Sequence, residues 1–132
     1  MLPAAAELGI GILPWSPLHQ GVLSGALRKQ RDGAAGRSTS HAADAVERHR
    51  TTLEPYEKFC AELGHEPATV ALAWLLAQPA VTAPVIGPRT AAQLDLSVEA
   101  LATRLSGDDL ARLEEMFPPV GQGGPGPEAW AW

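Results

Sequence analysis

One cysteine, Cys60, and one tyrosine, Tyr56, stand in a chain of 132 residues. A lone cysteine excludes an intramolecular disulfide and leaves no thiolate cluster for a metal. The four histidines, at positions 19, 41, 49 and 65, show no metal-ligand spacing in a secure helix, so no metal site is expected. Positive charge is scarce as well. The formal charge of −5 provides no basic face for nucleic acid. The densest basic group, Arg28, Lys29 and Arg31, lies beside Gly33 and reads as a solvated turn. A long apolar run is also missing. Residues 1–13 carry no basic leader pattern and are interrupted by Pro3, Glu7, Gly9 and Gly11. Neither signal peptide nor membrane span is expected there, and a cytoplasmic location is the default. What remains is 45% apolar and 19% charged, the balance of a globular domain, and the length predicts a single one.

Residues 3–8 read as the end of a helix closed by Gly9. Residues 10–15 are almost continuously apolar, as suits a parallel strand covered on both faces. From 16 to 43 there is little periodicity, and a long loop is expected. Helical signals resume at Asp44, which has capping-box spacing to Glu47. Val46, Leu53, Tyr56, Cys60 and Leu63 repeat at a helical interval. Pro55 should kink this segment or divide it near Glu54, and Gly64 should end it. Pro67 opens a helix, and residues 68–78 are apolar nearly all round, which demands burial on most sides. A second strand is expected at 83–86. A helix capped by Thr90 covers 91–101, and another starts at Ser106 with Asp109 completing its cap. Residues 118–132 form a Gly- and Pro-rich tail.

Two parallel strands cannot bury four sheet faces or satisfy their outer edges. The fold class read from these elements is α/β, a piece of a larger barrel with two parallel strands and flanking helices. Exposed barrel surfaces imply self-association.

Each strand runs into a loop with possible chemistry. After the first come Ser16, Pro17, Leu18 and Gly21: the serine can donate a hydroxyl, and the amides of Leu18, His19 and Gly21 can line a diphosphate. After the second come Gly87, Pro88 and Arg89, then Thr90 at the mouth of a helix. Gly87 admits close approach of a ligand. Arg89 offers a planar fork for a phosphate, and the helix start favours an anion. Each loop alone is equally an ordinary barrel-rim turn. Both together, in this order, point to a phosphate site at the C-terminal face of a barrel.

The pair of loops, the segment Ala71-Leu72-Ala73-Trp74-Leu75-Leu76 and the tail segment 124–130 resemble the aldo-keto reductases, NADP-dependent (β/α)8 barrels that transfer hydride between NADPH and a carbonyl. The likeness runs from about the sixth helix of that barrel to the C-terminus and covers essentially the whole chain. It implies that Ser16, Pro17, Leu18 and Gly21 bind the diphosphate of NADP(H). It also implies that Gly87, Arg89 and Gln93 lie at the 2′-phosphate and ribose end. Where the family often has an acidic residue and an asparagine against the adenine, this chain has Leu96 and Ser97; Ser97 can replace one hydrogen bond. Pro88 removes a backbone donor from the phosphate loop.

The family's tyrosine, lysine, aspartate and histidine tetrad comes from earlier strands, so no catalytic residue is expected here, and Tyr56 reads as a core residue. Three outcomes follow from the resemblance: an oxidoreductase segment that keeps its nucleotide loops without the tetrad, a non-catalytic nucleotide-binding or interaction module, or a gene fragment without independent function.

Overall fold

The computed structural model describes residues 2–33 and 40–118. The tail from 119 onward and most of the Gly/Ser/Thr stretch lie outside the described residues. Seven α-helices are found among those described: α1 (Leu2–Glu7), α2 (Ala26–Arg31), α3 (Ser40–Arg48), α4 (Arg50–Leu63), α5 (Pro67–Leu76), α6 (Ala91–Ala102) and α7 (Gly107–Met116). A 3-10 turn covers His19–Gly21.

The two expected strands do run side by side and parallel, but only as isolated bridges, Ile12 to Val81 and Trp15 to Val85. The Ile12 amide donates to Ala80 O at 2.7 Å and its carbonyl accepts from the Thr82 amide at 2.9 Å; the Val85 amide donates to Pro14 O at 2.8 Å. Prolines explain why no continuous ladder forms. Pro14 and Pro84 each lack an N–H at a place where a ladder would need one. The register also slips, because three residues separate the bridges on one segment and four on the other. The strands expected at 10–15 and 83–86 are therefore corrected to two extended segments held at two points. The described residues form a helical assembly around one short parallel pairing.

The segment 16–43, expected as a loop, contains the 3-10 turn, all of α2 and the start of α3. Six residues are too few to show an apolar stripe, although Ala, Leu, Arg, Lys and Gln are all good helix formers. The Glu57 carboxylate supplies the missing N-terminal cap, accepting from the amides of Leu27 at 2.9 Å and Arg28 at 3.0 Å. No sequence pattern reveals a cap that comes from thirty residues away. The helix expected to start at Asp44 starts instead at Ser40, and the division expected near Glu54 falls at His49. Pro55 sits inside α4. The break ahead of it gives α4 a fresh start, and a proline in its second turn then removes a single helical hydrogen bond.

The core lies among the helices. Leu53, Tyr56, Phe59 and Cys60 of α4 pack with Val70 of α5, Val46 of α3, Leu113 of α7 and Val22 from the loop. Arg112 lies over the Phe59 ring at 4.4 Å and pairs with Glu62 at 3.0 Å, fastening α7 to α4. Gly64 ends α4 with a φ of 74°, a left-handed turn that most residues resist. The amides of Gly64 and His65 close back on Ala61 and Cys60. Burial, the largest cause, pushes the Cys60 thiol up to about 12, in keeping with a packing role.

Helix α5 is apolar on every side because α4 and α6 both pack on it. Its one buried hydroxyl is spent across that contact: Thr69 is fully buried and Oγ1 donates to Leu96 O of α6 at 3.0 Å. Replacing Thr69 by valine keeps the volume and loses the bond. It should lower the unfolding free energy by about 1 kcal/mol, measured by urea titration with circular dichroism.

Candidate functional site

The parallel contact brings the two loops together. Between them lies a groove of about 820 Å³, within the range of a small-molecule site. Ser16, Pro17, Leu18 and Gly21 form one wall, and Gly87, Arg89, Gln93 and Ser97 form another. The eight residues singled out from the sequence thus face a single space, although some seventy positions separate the two sets.

The first wall is backbone-strained. Ser16, His19 and Gln20 have φ values of 55°, 46° and 55°, each in a left-handed region that costs a non-glycine residue about 1 kcal/mol or more. Gly21, at φ 97°, occupies the same region without that cost. The strain accompanies a tight turn in which the His19 amide donates to Ser16 O and the Gly21 amide to Leu18 O. Two of the three amides expected to face an anion are therefore already engaged. Leu18 keeps its amide free among the described residues, so the turn offers one backbone donor rather than three.

A hydrogen-bond chain braces this turn from behind. Lys29 Nζ donates to Ser24 O at 2.5 Å and to Ser24 Oγ at 2.9 Å, and Ser24 Oγ donates to Gly21 O at 2.6 Å. Lys29 lines the groove as well. The basic group read as a solvated turn is thus corrected. Arg28 forms a two-pronged ion pair with Glu66, whose Oε1 accepts from Nη1 at 3.0 Å and whose Oε2 accepts from Nη2. The hydrogen bond from Arg28 is the first cause that lowers the Glu66 pKa. Burial, and then the Arg28 charge, lower that of Lys29. The 38 positions between Arg28 and Glu66 hid this pairing: the signal is the contact between α2 and the start of α5, which no local pattern carries.

The second wall is the loop into α6. The Thr90 side chain accepts from the Gln93 amide at 3.2 Å, and Gln93 Oε1 accepts from the Arg89 amide at 2.8 Å. These reciprocal bonds fix the loop on the helix start. They leave the amides of Ala91 and Ala92 without partners among the described residues. The Arg89 side chain is exposed and has no ion pair there. A Cβ built at Gly87 would meet nothing within 4 Å, so the space in front of it is open. Two expected ligand groups point elsewhere in part: Gln93 spends its carbonyl on Arg89, and Ser97 Oγ donates to Gln93 O at 2.9 Å. Gln93 retains its amide group as a donor, and Ser97 retains acceptor capacity.

Tyr56 and Lys58 do not line the groove. Tyr56 is buried, with its hydroxyl donating to Pro67 O, and burial is the first cause that raises its pKa well above the phenol range. Lys58 is exposed on α4. Among the described residues no cluster of ligating side chains could hold a metal ion. No helix among them is long and apolar enough to cross a membrane.

The sequence profile of the aldo/keto reductase family matches residues 1–117. An uncharacterized oxidoreductase of Bacillus subtilis (strain 168) is 47% identical over all 132 residues, which cover 39% of its length. A probable aldo-keto reductase of Glycine max is 31% identical over 121 residues, covering 89% of this chain and 35% of its own. A versiconal hemiacetal acetate reductase of Aspergillus parasiticus is 29% identical over 125 residues, with 90% and 36% coverage. The chain therefore spans between one third and two fifths of the length of these three relatives.

His19 shows how the strained turn responds to acid. Although the residue as a whole is exposed, desolvation of its ring is the first cause that lowers its pKa, followed by His49, whose ring lies edge-on at 6.5 Å, and Arg48. A depressed histidine gives a stability contribution complete above its unfolded value of 6.5 and lost as the pH falls through the lower folded value. His19→Gln should therefore lose less melting temperature than the unmodified chain between about pH 7.5 and about pH 5.5. Thermal melts across that interval measure the difference.

Proposed function

The chain belongs to the aldo/keto reductase family, and from that footing we propose that its groove holds the phosphates of NADP(H) in an oxidoreductase acting on aldehydes or ketones. The observation that carries this reading is the convergence of the two loops on one space. The groups present fit the nucleotide. Arg89 supplies a fork for the 2′-phosphate, the free amides of Ala91 and Ala92 add donors beside it, and open space at Gly87 permits close approach. Ser16 and the Leu18 amide face the diphosphate. Ser97 and Gln93 Nε2 serve the adenosine end. When bound, the nucleotide supplies the hydride.

The chain's own part is to bind and orient rather than to move protons. No tyrosine or histidine is among the described residues of the groove wall. Tyr56, sealed in the core, is a poor candidate for the acid that protonates a carbonyl. The proton donor and its partners then come from elsewhere in the assembled reductase. By itself the chain is a nucleotide-binding module.

Titration of NADP+ and NAD+ at fixed salt tests the binding reading. The unmodified chain should prefer NADP+, and Arg89→Ala should remove about 1.5–3 kcal/mol of that preference while leaving NAD+ nearly unchanged. Equal binding of both nucleotides by the unmodified chain would remove Arg89 from the site. A separate measurement addresses catalysis: the purified chain should give no NADPH oxidation with broad aldehyde substrates above the uncatalysed background. Turnover that follows the protein through purification would place a proton donor in this chain.

A further inference from the structure

Helix α6 is apolar on two sides and covered on one. Only Gln93, Asp95, Ser97 and Glu99 interrupt its run of Ala, Leu and Val, and a helix of that composition is normally buried on most sides. Its inner side is accounted for. Ala100 is buried, the Leu96 carbonyl accepts from Thr69, and Ala92, Gln93 and Leu96 line the groove. The outer side carries Leu94, Val98 and Leu101, which leave 45%, 53% and 63% of their surface in water. Positions i, i+4 and i+7 fall within an arc of about 60°, here on the side away from Ala100. That is the spacing of a seam between two packed helices. Helix α5, equally apolar, is enclosed by α4 and α6; the outer face of α6 meets water instead.

The charges at the two ends of this face decide what fits it. Asp95 flanks the apolar stripe near its start, and Arg104 follows the helix just past its end. Both are exposed, and neither forms an ion pair among the described residues. The other acid of the helix, Glu99, is already engaged by His65 Nδ1 at 2.8 Å. Asp95 and Arg104 stand about 13 Å apart along the axis, so the face is negative at one end and positive at the other. Such a face is complementary to itself turned end over end. A two-fold axis across the helix brings each Asp95 to the Arg104 of a second copy, whereas a parallel arrangement would set like charges together.

We propose that the outer face of α6 is a homodimer interface, in which two copies of this chain pack antiparallel through Leu94, Val98 and Leu101 and exchange Asp95–Arg104 ion pairs at both ends. The assignment is independent of the nucleotide reading, since Ala92, Gln93 and Leu96 of the groove lie on the far side of the helix. Size sets the strength. A twelve-residue helix is about 18 Å long, and one such face buries less than the roughly 1,200 Å² of a stable complex. Association is therefore reversible, with a dissociation constant on the order of 1–100 μM.

Sedimentation equilibrium of the full chain over a range of concentrations tests the interface. The unmodified chain should pass from monomer to dimer and stop there, as a closed two-fold contact requires. Val98→Lys puts a charge at the middle of the seam and should weaken the dimer about tenfold or more; circular dichroism should show its helix content unchanged, because Val98 is half exposed. Asp95→Arg and Arg104→Asp should each weaken self-association about three- to tenfold, since each sets like charges together at both ends. An equimolar mixture of these two variants restores opposite charges at both ends and should dimerise as the unmodified chain does. A monomer at every concentration would overturn the proposal, whatever other polypeptide then covers the face. So would a dimer indifferent to Val98→Lys, which would place the contact elsewhere, as on the exposed segments around Leu13 and Val85. Charge reversals without effect, or a mixture that fails to recover, would overturn the antiparallel pairing.

Discussion

Three backbone hydrogen bonds between residues 12–14 and 80–85 determine where everything chemical in this molecule sits. They join segments about seventy positions apart and set them parallel. Parallel alignment matters because it delivers both exits to the same end of the pair. An antiparallel contact would have sent the Ser16 loop and the Arg89 loop to opposite ends. The helices supply the stability that so short a pairing cannot. A two-strand contact is marginal in water, and here the α3–α4–α5–α7 core, with α6 tied to α5 through Thr69, holds the ends of both segments in place.

The groove inherits a division of labour from that arrangement. Its Arg89 wall is local: reciprocal caps between Thr90, Gln93 and Arg89 fix it using five consecutive residues. Its Ser16 wall is not. Three left-handed residues store strain there, and the opposing restraint comes from α2 through Lys29 and Ser24. Helix α2 in turn depends on Glu57 of α4 for its cap and on Glu66 ahead of α5 for its ion pair. The geometry of one wall is therefore coupled to the helical core, while that of the other belongs to the α6 start alone.

Much of this was legible in the sequence because the relevant information is local. Thr90 and Ser106 mark helix starts with side chains adjacent to the amides they serve, Pro67 marks one through its fixed φ, and Gly9 and Gly64 close helices from within two positions of their ends. The all-apolar α5 announced burial on several sides. Elements fixed by distant partners were not legible. Helix α2 has a cap drawn from α4, and the break at His49 precedes the proline that suggested one. Prolines within both apolar segments signalled interrupted pairing, yet apolarity alone reads as a full strand. At the site, residue identity indicated which groups gather around the groove. It gave no sign that the His19 and Gly21 amides, the Gln93 carbonyl and the Ser97 hydroxyl would be turned inward.

The same two prolines bear on how the exposed apolar segments could pair with a further strand. Ile10, Leu13 and Trp15 leave more than half their surface in water, and Val85 nearly half. An apolar edge of that kind, if it presented an unbroken row of donors and acceptors, would template the addition of further strands. Pro14 and Pro84 break the pairing between the two segments, and the slip in register there kinks them, so the outward-facing donors and acceptors lose their even spacing. An incoming extended chain finds greasy surface without a regular hydrogen-bonding rail to follow. The imperfection that keeps these segments from being proper strands thus also guards them against growing into fibrils.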